Sequence, residues 1–177
     1  MLREKPSYAN AGLRIDPVTP DDLPSFVEMF GELVEFMRAA EWFSATQDDF
    51  HRALFDDPQR MEAIIVRYEG EPAGLATWFE TYEALSGKVT MWFDYLYVRP
   101  AFRSKPIAPA MLIYLLMLAK DRDYLWIEGT VQAWNAEALS LYKVLRAQEL
   151  PHHIHRLHLS RIDWTLLEKL RPKGERK

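Results

Sequence analysis

The segment that most constrains this chain is a crossover. "VTMWFDYLYV" is rich in β-branched and aromatic residues and reads as a strand. The apolar run "PAMLIYLLMLA" follows, inside a helix expected from about Ile107 to Arg122, and "YLWIEGTV" then reads as a second strand. A strand, a helix and a strand in that order place the two strands parallel in one sheet. Upstream, "GLRIDPV" alternates like a strand, and Leu23, Phe26, Val27, Phe30, Leu33, Val34 and Met37 recur at helical spacing, predicting an amphipathic helix over 21–40. Thr46 caps a short second helix that ends before Pro58. "EAIIVRYE" turns at Gly70 into "AGLATWFETY" as a hairpin. Downstream, "NAEALSLYKVL" is helical, "HHIHRLHL" alternates, and a short helix closes the chain over about 163–171. The order β-α-α-β-β-β-α-β-α-β-α predicts an α/β fold in one domain over 1–177, with its core at about 13–160 and loose ends at 1–11 and 172–177.

Composition narrows the function. A net charge of −4 gives no global field for nucleic acid, and the basic residues are scattered rather than clustered. Without cysteine there is neither disulfide nor thiolate metal site. The longest apolar stretch is about half a membrane span, and "MLREKPSYAN" lacks the apolar core of a signal peptide. Neither nucleic acid nor membrane is expected as a partner, and the expected location is cytoplasmic.

In an open sheet with a parallel crossover, ligands collect at strand carboxyl ends beside helix N-termini. "RSKPIAPA" (103–110) occupies that position directly after "YLYVRPAF". The helix N-terminus brings free N–H groups and partial positive charge, and Arg103 and Lys105 add formal charge. A solvated strand-to-helix turn, with Pro106 at an early helical position, would carry the same residues. The wider pattern is more specific. Val98, Pro100, Phe102, Arg103 and Ala108, followed by Asn135 and Tyr142 in "WNAEALSLYKVLRA", resemble the pyrophosphate loop and the following helix of the GNAT family of N-acetyltransferases. "GLATWFETYEALSGK", "FDYLYV" and "EALSLYK" are similar to segments of its diamine and polyamine (spermidine/spermine-type) branch.

The resemblance implies a mixed sheet of about six to seven strands flanked by helices, acetyl-CoA as co-substrate, and a small amine as acceptor: polyamine-like or diamine-like first, amino-acid-like second. It implies coenzyme contacts at Leu96, Tyr97, Val98, Arg103, Ser104, Lys105, Ile107, Ala108, Pro109, Asn135 and Tyr142. Asp94 falls on the family's general base and Tyr142 on its general acid toward the coenzyme sulfur. That chemistry suits them, because a carboxylate can deprotonate an ammonium group and a phenol can protonate a leaving thiolate. Acceptor contacts are expected at Glu32, Glu83 and Trp78, and a homodimer is common in the branch. Three residues depart from the pattern: Asp94 is one methylene shorter than the branch's glutamate, Pro106 replaces the first loop glycine and lacks an N–H, and Arg146 stands where glycine is frequent. A non-catalytic coenzyme sensor or interaction domain of the same fold is the rival. His152, His153, His155 and His158 split between two strand faces with no third ligand in view, so no metal is expected.

Overall fold

A computed structural model describes residues 7–10 and 12–151, with 159, 163 and 165. Six strands lie in sequential order: β1 (Tyr8–Asn10), β2 (Leu13–Pro17), β3 (Glu62–Tyr68), β4 (Glu71–Glu83), β5 (Lys88–Val98) and β6 (Ile127–Gly129). Neighbours are antiparallel from β1 to β5, and β5 pairs with β6 in parallel. The helices are α1 (Leu23–Phe36), α2 (Gln47–Phe55), α3 (Ile107–Asp121) and α4 (Ala136–Val144). This is the mixed α/β sheet that the crossover predicts. Two details differ. β1 forms in a stretch expected to be loose, and β6 has three residues rather than eight. Its approach runs from Leu125, whose N–H bonds the Val89 carbonyl at 2.9 Å, and the ladder ends at Gly129. The strand expected at "HHIHRLHL" and the closing helix fall outside the described residues, apart from single positions.

Antiparallel register sorts the side chains by face. Ala63, Ile65, Leu75 and Tyr97 point to one face, where they pack with Leu23, Phe26, Met29, Phe30, Leu33 and Val34 of α1 and Phe50 and Leu54 of α2. A reciprocal capping box starts α2: Thr46 Oγ1 accepts from the Asp49 N–H at 3.2 Å, and Asp49 accepts from the Thr46 N–H at 2.8 Å. Ile64, Val66, Ala76 and Met91 point to the other face, the side of Met111, Leu115 and Leu118 of α3, and all of these are buried. Gly74 permits that packing. A Cβ there would stand 2.5 Å from the Tyr97 carbonyl and 3.5 Å from Met111 Cε. The outer side of α3 leaves Ile113, Leu116 and Met117 exposed.

A polar tie clamps the C-terminal end of α3 to two strands. Arg122, with a side chain 6% exposed, donates to both Glu62 oxygens at 2.6 and 2.9 Å and to the Tyr124 hydroxyl at 3.0 Å. Tyr124 in turn donates to Glu80. Burial, with the Glu80 hydrogen bond, pushes the Tyr124 hydroxyl up to about 12. The fork geometry of arginine suits the bidentate pair.

The chain divides into two compact units, 1–141 and 142–177, with the boundary inside α4. Among the described residues no helix is long and apolar enough to cross a membrane. Removing the charge from Glu62 would strand the buried guanidinium. Glu62→Gln is therefore expected to lower unfolding stability by about 3–5 kcal/mol, read from the urea midpoint, with the Tyr124→Phe variant losing less.

Candidate active site

The β4–β5 ladder runs from Gly74↔Val98 to Thr77↔Tyr95 and resumes at Trp78↔Phe93. Asp94 is thus the extra residue of a β-bulge, opposite no residue of β4. On the other side of β5 the parallel ladder to β6 ends at Phe93↔Gly129. Gly129 is needed at that last rung, because a Cβ would collide with the Phe93 carbonyl oxygen. Asp94 therefore sits one residue beyond the point where β5 and β6 stop pairing. It is half-buried. Burial raises its carboxyl above the usual aspartate range, while a hydrogen bond from the Trp92 side chain pulls the other way. Trp92 stacks on Phe79, with ring centroids 6.3 Å apart. Toward α1 the same face carries Tyr95, edge-on to Phe30 at 5.4 Å, and Phe30 stacks on Phe43 at 5.9 Å. Trp92 and Phe79 thus share the face of Tyr95, and Phe43 joins it through Phe30.

Beyond β5 the chain makes a 3-10 turn over Pro100–Phe102 and enters α3 with Pro106 as N-cap. Much of the loop's hydrogen bonding is internal. The N–H groups of Arg103, Lys105 and Ile107 bond the carbonyls of Pro100, Phe102 and Lys105, at 3.3, 2.9 and 2.8 Å. Pro106 and Pro109 have no N–H. The N–H groups of Ser104 and Ala108 have no such partner, and both lie at the mouth of the helix. Arg103 Nε donates to the Val98 carbonyl at 3.2 Å, and its guanidinium lies 4.7 Å from the Phe36 ring centroid. Lys105 Nζ stands 5.0 Å from the centroid of Tyr68. Ile107 is fully buried and anchors the turn from below. Trp134 meets the other side of this group, 5.4 Å from Phe36. Loop and α4 entry thus converge on one exposed phenyl ring, which sequence periodicity alone would class as an outlying helix residue.

Asn135 accepts from the Ala138 N–H at 3.1 Å and so caps α4. Tyr142 lies near the end of α4, in the second unit, and burial raises its hydroxyl. Four residues on, Arg146 has φ 55°, the left-handed region that glycine adopts most readily, and this accounts for the family's preference there.

The expected acceptor contacts have other occupations. Trp78 is fully buried on the α3 side of the sheet, where the alternation of β4 places it with Ala76. Glu32 accepts from Tyr97 Oη at 3.1 Å and pairs at 2.7 Å with Arg99, which also pairs with Glu28 at 3.1 Å, so its carboxylate is already engaged. Glu83 accepts from the N–H groups of Leu85 and Ser86 at 3.1 and 2.8 Å, which close the β4–β5 turn and hold its carboxyl below the usual range. The side chain of Tyr97 is likewise committed to Glu32, leaving only its backbone for a ligand. The four C-terminal histidines lie outside the described residues, and among those described no group of three or more metal-ligating side chains occurs.

Residues 26–145 match the profile of the acetyltransferase (GNAT) family. A thialysine N-epsilon-acetyltransferase from Caenorhabditis elegans is 29% identical over 125 residues, covering 71% of this chain and 76% of that protein. The Bos taurus protein of the same name is 23% identical over 137 residues, covering 73% and 80%. Among solved structures, a ribosomal-protein-alanine N-acetyltransferase from Brucella melitensis biovar Abortus 2308 superposes with a TM-score of 0.70 at 18% identity, covering 84% of this chain and all of that one. An integron cassette protein from the mobile metagenome of V. cholerae gives 0.70 at 20% identity, covering 91% and 98%.

The raised carboxyl of Asp94 has a thermodynamic consequence. Between the ordinary aspartate pKa and the raised one, the folded chain holds a proton that the unfolded chain has released. Stability therefore falls as pH climbs through that window and stays lower above it. Asp94→Asn removes the cost of the buried charge. Its melting temperature is expected to exceed the parent's at neutral pH, with the gap closing below the ordinary aspartate pKa.

Proposed function

The chain belongs to the acetyltransferase (GNAT) family and is an N-acetyltransferase, and from that premise we propose that it carries an acetyl group from acetyl-CoA to the primary amine of a small cationic acceptor. Diamine-like and polyamine-like amines come first and amino-acid-like amines second. The whole of 1–177 serves as one catalytic domain in this proposal, and a cytoplasmic homodimer accompanies it by resemblance. The observation that carries it is the half-buried carboxylate of Asp94 at the bulge where β5 and β6 part.

The residues present fit the coenzyme. Ser104 and Ala108 offer N–H groups at the positive end of α3, beside Arg103 and Lys105, and this suits a diphosphate. The backbone of Leu96, Tyr97 and Val98 has no strand on the β6 side among the described residues, which suits an extended arm. Ile107 supports the turn, Pro109 shapes it, and Asn135 and Tyr142 bring in α4. Acetyl-CoA, when bound, supplies a thioester carbonyl open to attack by an amine.

The chain's own groups do the rest. A primary amine with pKa near 10 is mostly protonated at neutral pH. Asp94, ionised above its raised pKa, takes the ammonium proton directly or through one water. The aspartate arm is one methylene short of glutamate, and a bridging water or a closer acceptor makes up the reach. Backbone N–H groups of β5 stabilise charge developing on the carbonyl oxygen. The Tyr142 hydroxyl, kept protonated by burial, gives its proton to the departing sulfur.

Calorimetry with acetyl-CoA followed by turnover on an amine panel tests this reading, since a coenzyme sensor would bind without turning over. Pro106→Gly restores one donor and is expected to tighten acetyl-CoA by about tenfold or more; an unchanged Kd would mean that position 106 does not face the diphosphate. Asp94→Asn is expected to lower kcat/KM by at least about a hundredfold while the coenzyme Kd holds, and Asp94→Glu to retain activity. The acid limb of the parent's kcat/KM profile is expected above the usual aspartate range. Tyr142→Phe should cut kcat with coenzyme affinity intact, and wild-type turnover in that variant would remove the phenol from its role.

A further inference from the structure

Resting on that acceptor reading, we infer that Glu128 is the residue that selects the acceptor: it holds a second ammonium group and rejects amines that carry a carboxylate beside it. Glu128 pairs in register with Trp92, and paired residues of neighbouring strands point to the same face. Trp92 shares its face with Asp94, to which it is hydrogen-bonded. Glu128, Trp92 and Asp94 therefore line one path across the opening between β5 and β6.

Among the described residues, neither carboxylate on that path has an ion pair. Among the described carboxylates of the sheet that are not exposed, Asp16 has Arg14, Glu62 has Arg122, and Glu83 has the backbone of its turn. Asp94 and Glu128 have no ion pair among the described residues. Glu128 is half-buried, with no hydrogen bond or ion pair among the described residues. Two partly desolvated carboxylates with no described ion pair make a site that a dication would neutralise.

Their spacing defines its length. One strand across and two residues along put the Cα atoms of Asp94 and Glu128 about 8 Å apart. Trp92 lies on the same face, across from Glu128 and two residues before Asp94, and its indole is steadied by Phe79. An aromatic face suits both methylene groups and an ammonium edge. An acceptor with two ammonium groups on a four- or five-atom spacer matches this path, with one nitrogen at Asp94 and the other at Glu128. An α-amino acid of the same length would bring its carboxylate against Glu128, a like-charge contact that disfavours it.

Three amines of one skeleton separate these effects: pentylamine, 1,5-diaminopentane and lysine. The wild-type chain is expected to prefer the diamine, with lysine behind it. In Glu128→Gln the KM for 1,5-diaminopentane should rise about tenfold at nearly constant kcat. Pentylamine should be unaffected, and the gap to lysine should narrow. Glu128→Asp, which keeps the charge, should keep most of the preference. Equal losses on all three amines, or no change on any in a variant that melts like the parent, would overturn the assignment while leaving the transferase reading intact. A wild-type chain that binds acetyl-CoA yet acetylates none of the three would instead overturn the acceptor reading and this inference together.

Discussion

One extra residue in one strand organises the site. Without the bulge at Asp94, β5 would continue in plain alternation, its ladder to β4 unbroken and its side chains evenly divided between the helices. With it, the strand turns on its axis between Phe93 and Tyr95. The β6 side separates at the same rung. A bulge increases local twist, and twist is what pulls a parallel neighbour away. The unpaired Asp94 and, among the described residues, the absence of a strand beside Leu96, Tyr97 and Val98 both begin at that rung. The α1–α2 core covers the face on one side of it, through Phe30, Phe43 and Tyr95. The α3 layer fixes the other side through Gly74 and the Glu62–Arg122 pair.

How far the sequence shows this depends on the range of the interaction. The crossover, the hairpin at Gly70 and both N-terminal helices are local, set by periodicity, caps and turn residues, and all are found where predicted. Asp94 is visible as a charge inside an apolar strand. Its bulge is not, because it exists only in the pairing with β4. The same blindness explains the acceptor wall. Alternation separates Trp78 from Phe79 but cannot say which of them faces α3, and it cannot place Trp92 beside Phe79, because both depend on strand pairing and register. Glu32 looked available because Arg99 and Tyr97, which occupy it, are more than sixty residues away. Glu128 gains meaning only from its register with Trp92.

The two halves of the site are built on different kinds of support. Asp94 and Glu128 stand on strands, where backbone pairing limits their movement. The coenzyme side is a loop held by its own turns, with both of its basic side chains resting on aromatic rings of other elements. Such cation–aromatic contacts are weak at exposed positions, so Arg103 and Lys105 can exchange them for a phosphate at little cost. In the proposed site, the acceptor side is thereby preorganised and the coenzyme side adapts through its side chains.

Pro106 and Pro109 bear on that adaptation in another way. Each locks one backbone torsion, so the turn into α3 has fewer conformations to lose when a ligand arrives, and fewer to gain when the chain unfolds. A glycine-rich loop contributes donors and must be ordered to use them. This loop has exchanged donors for rigidity. On the proposed reading, its hold on a diphosphate rests both on the few donors that remain and on how little the backbone must reshape to use them.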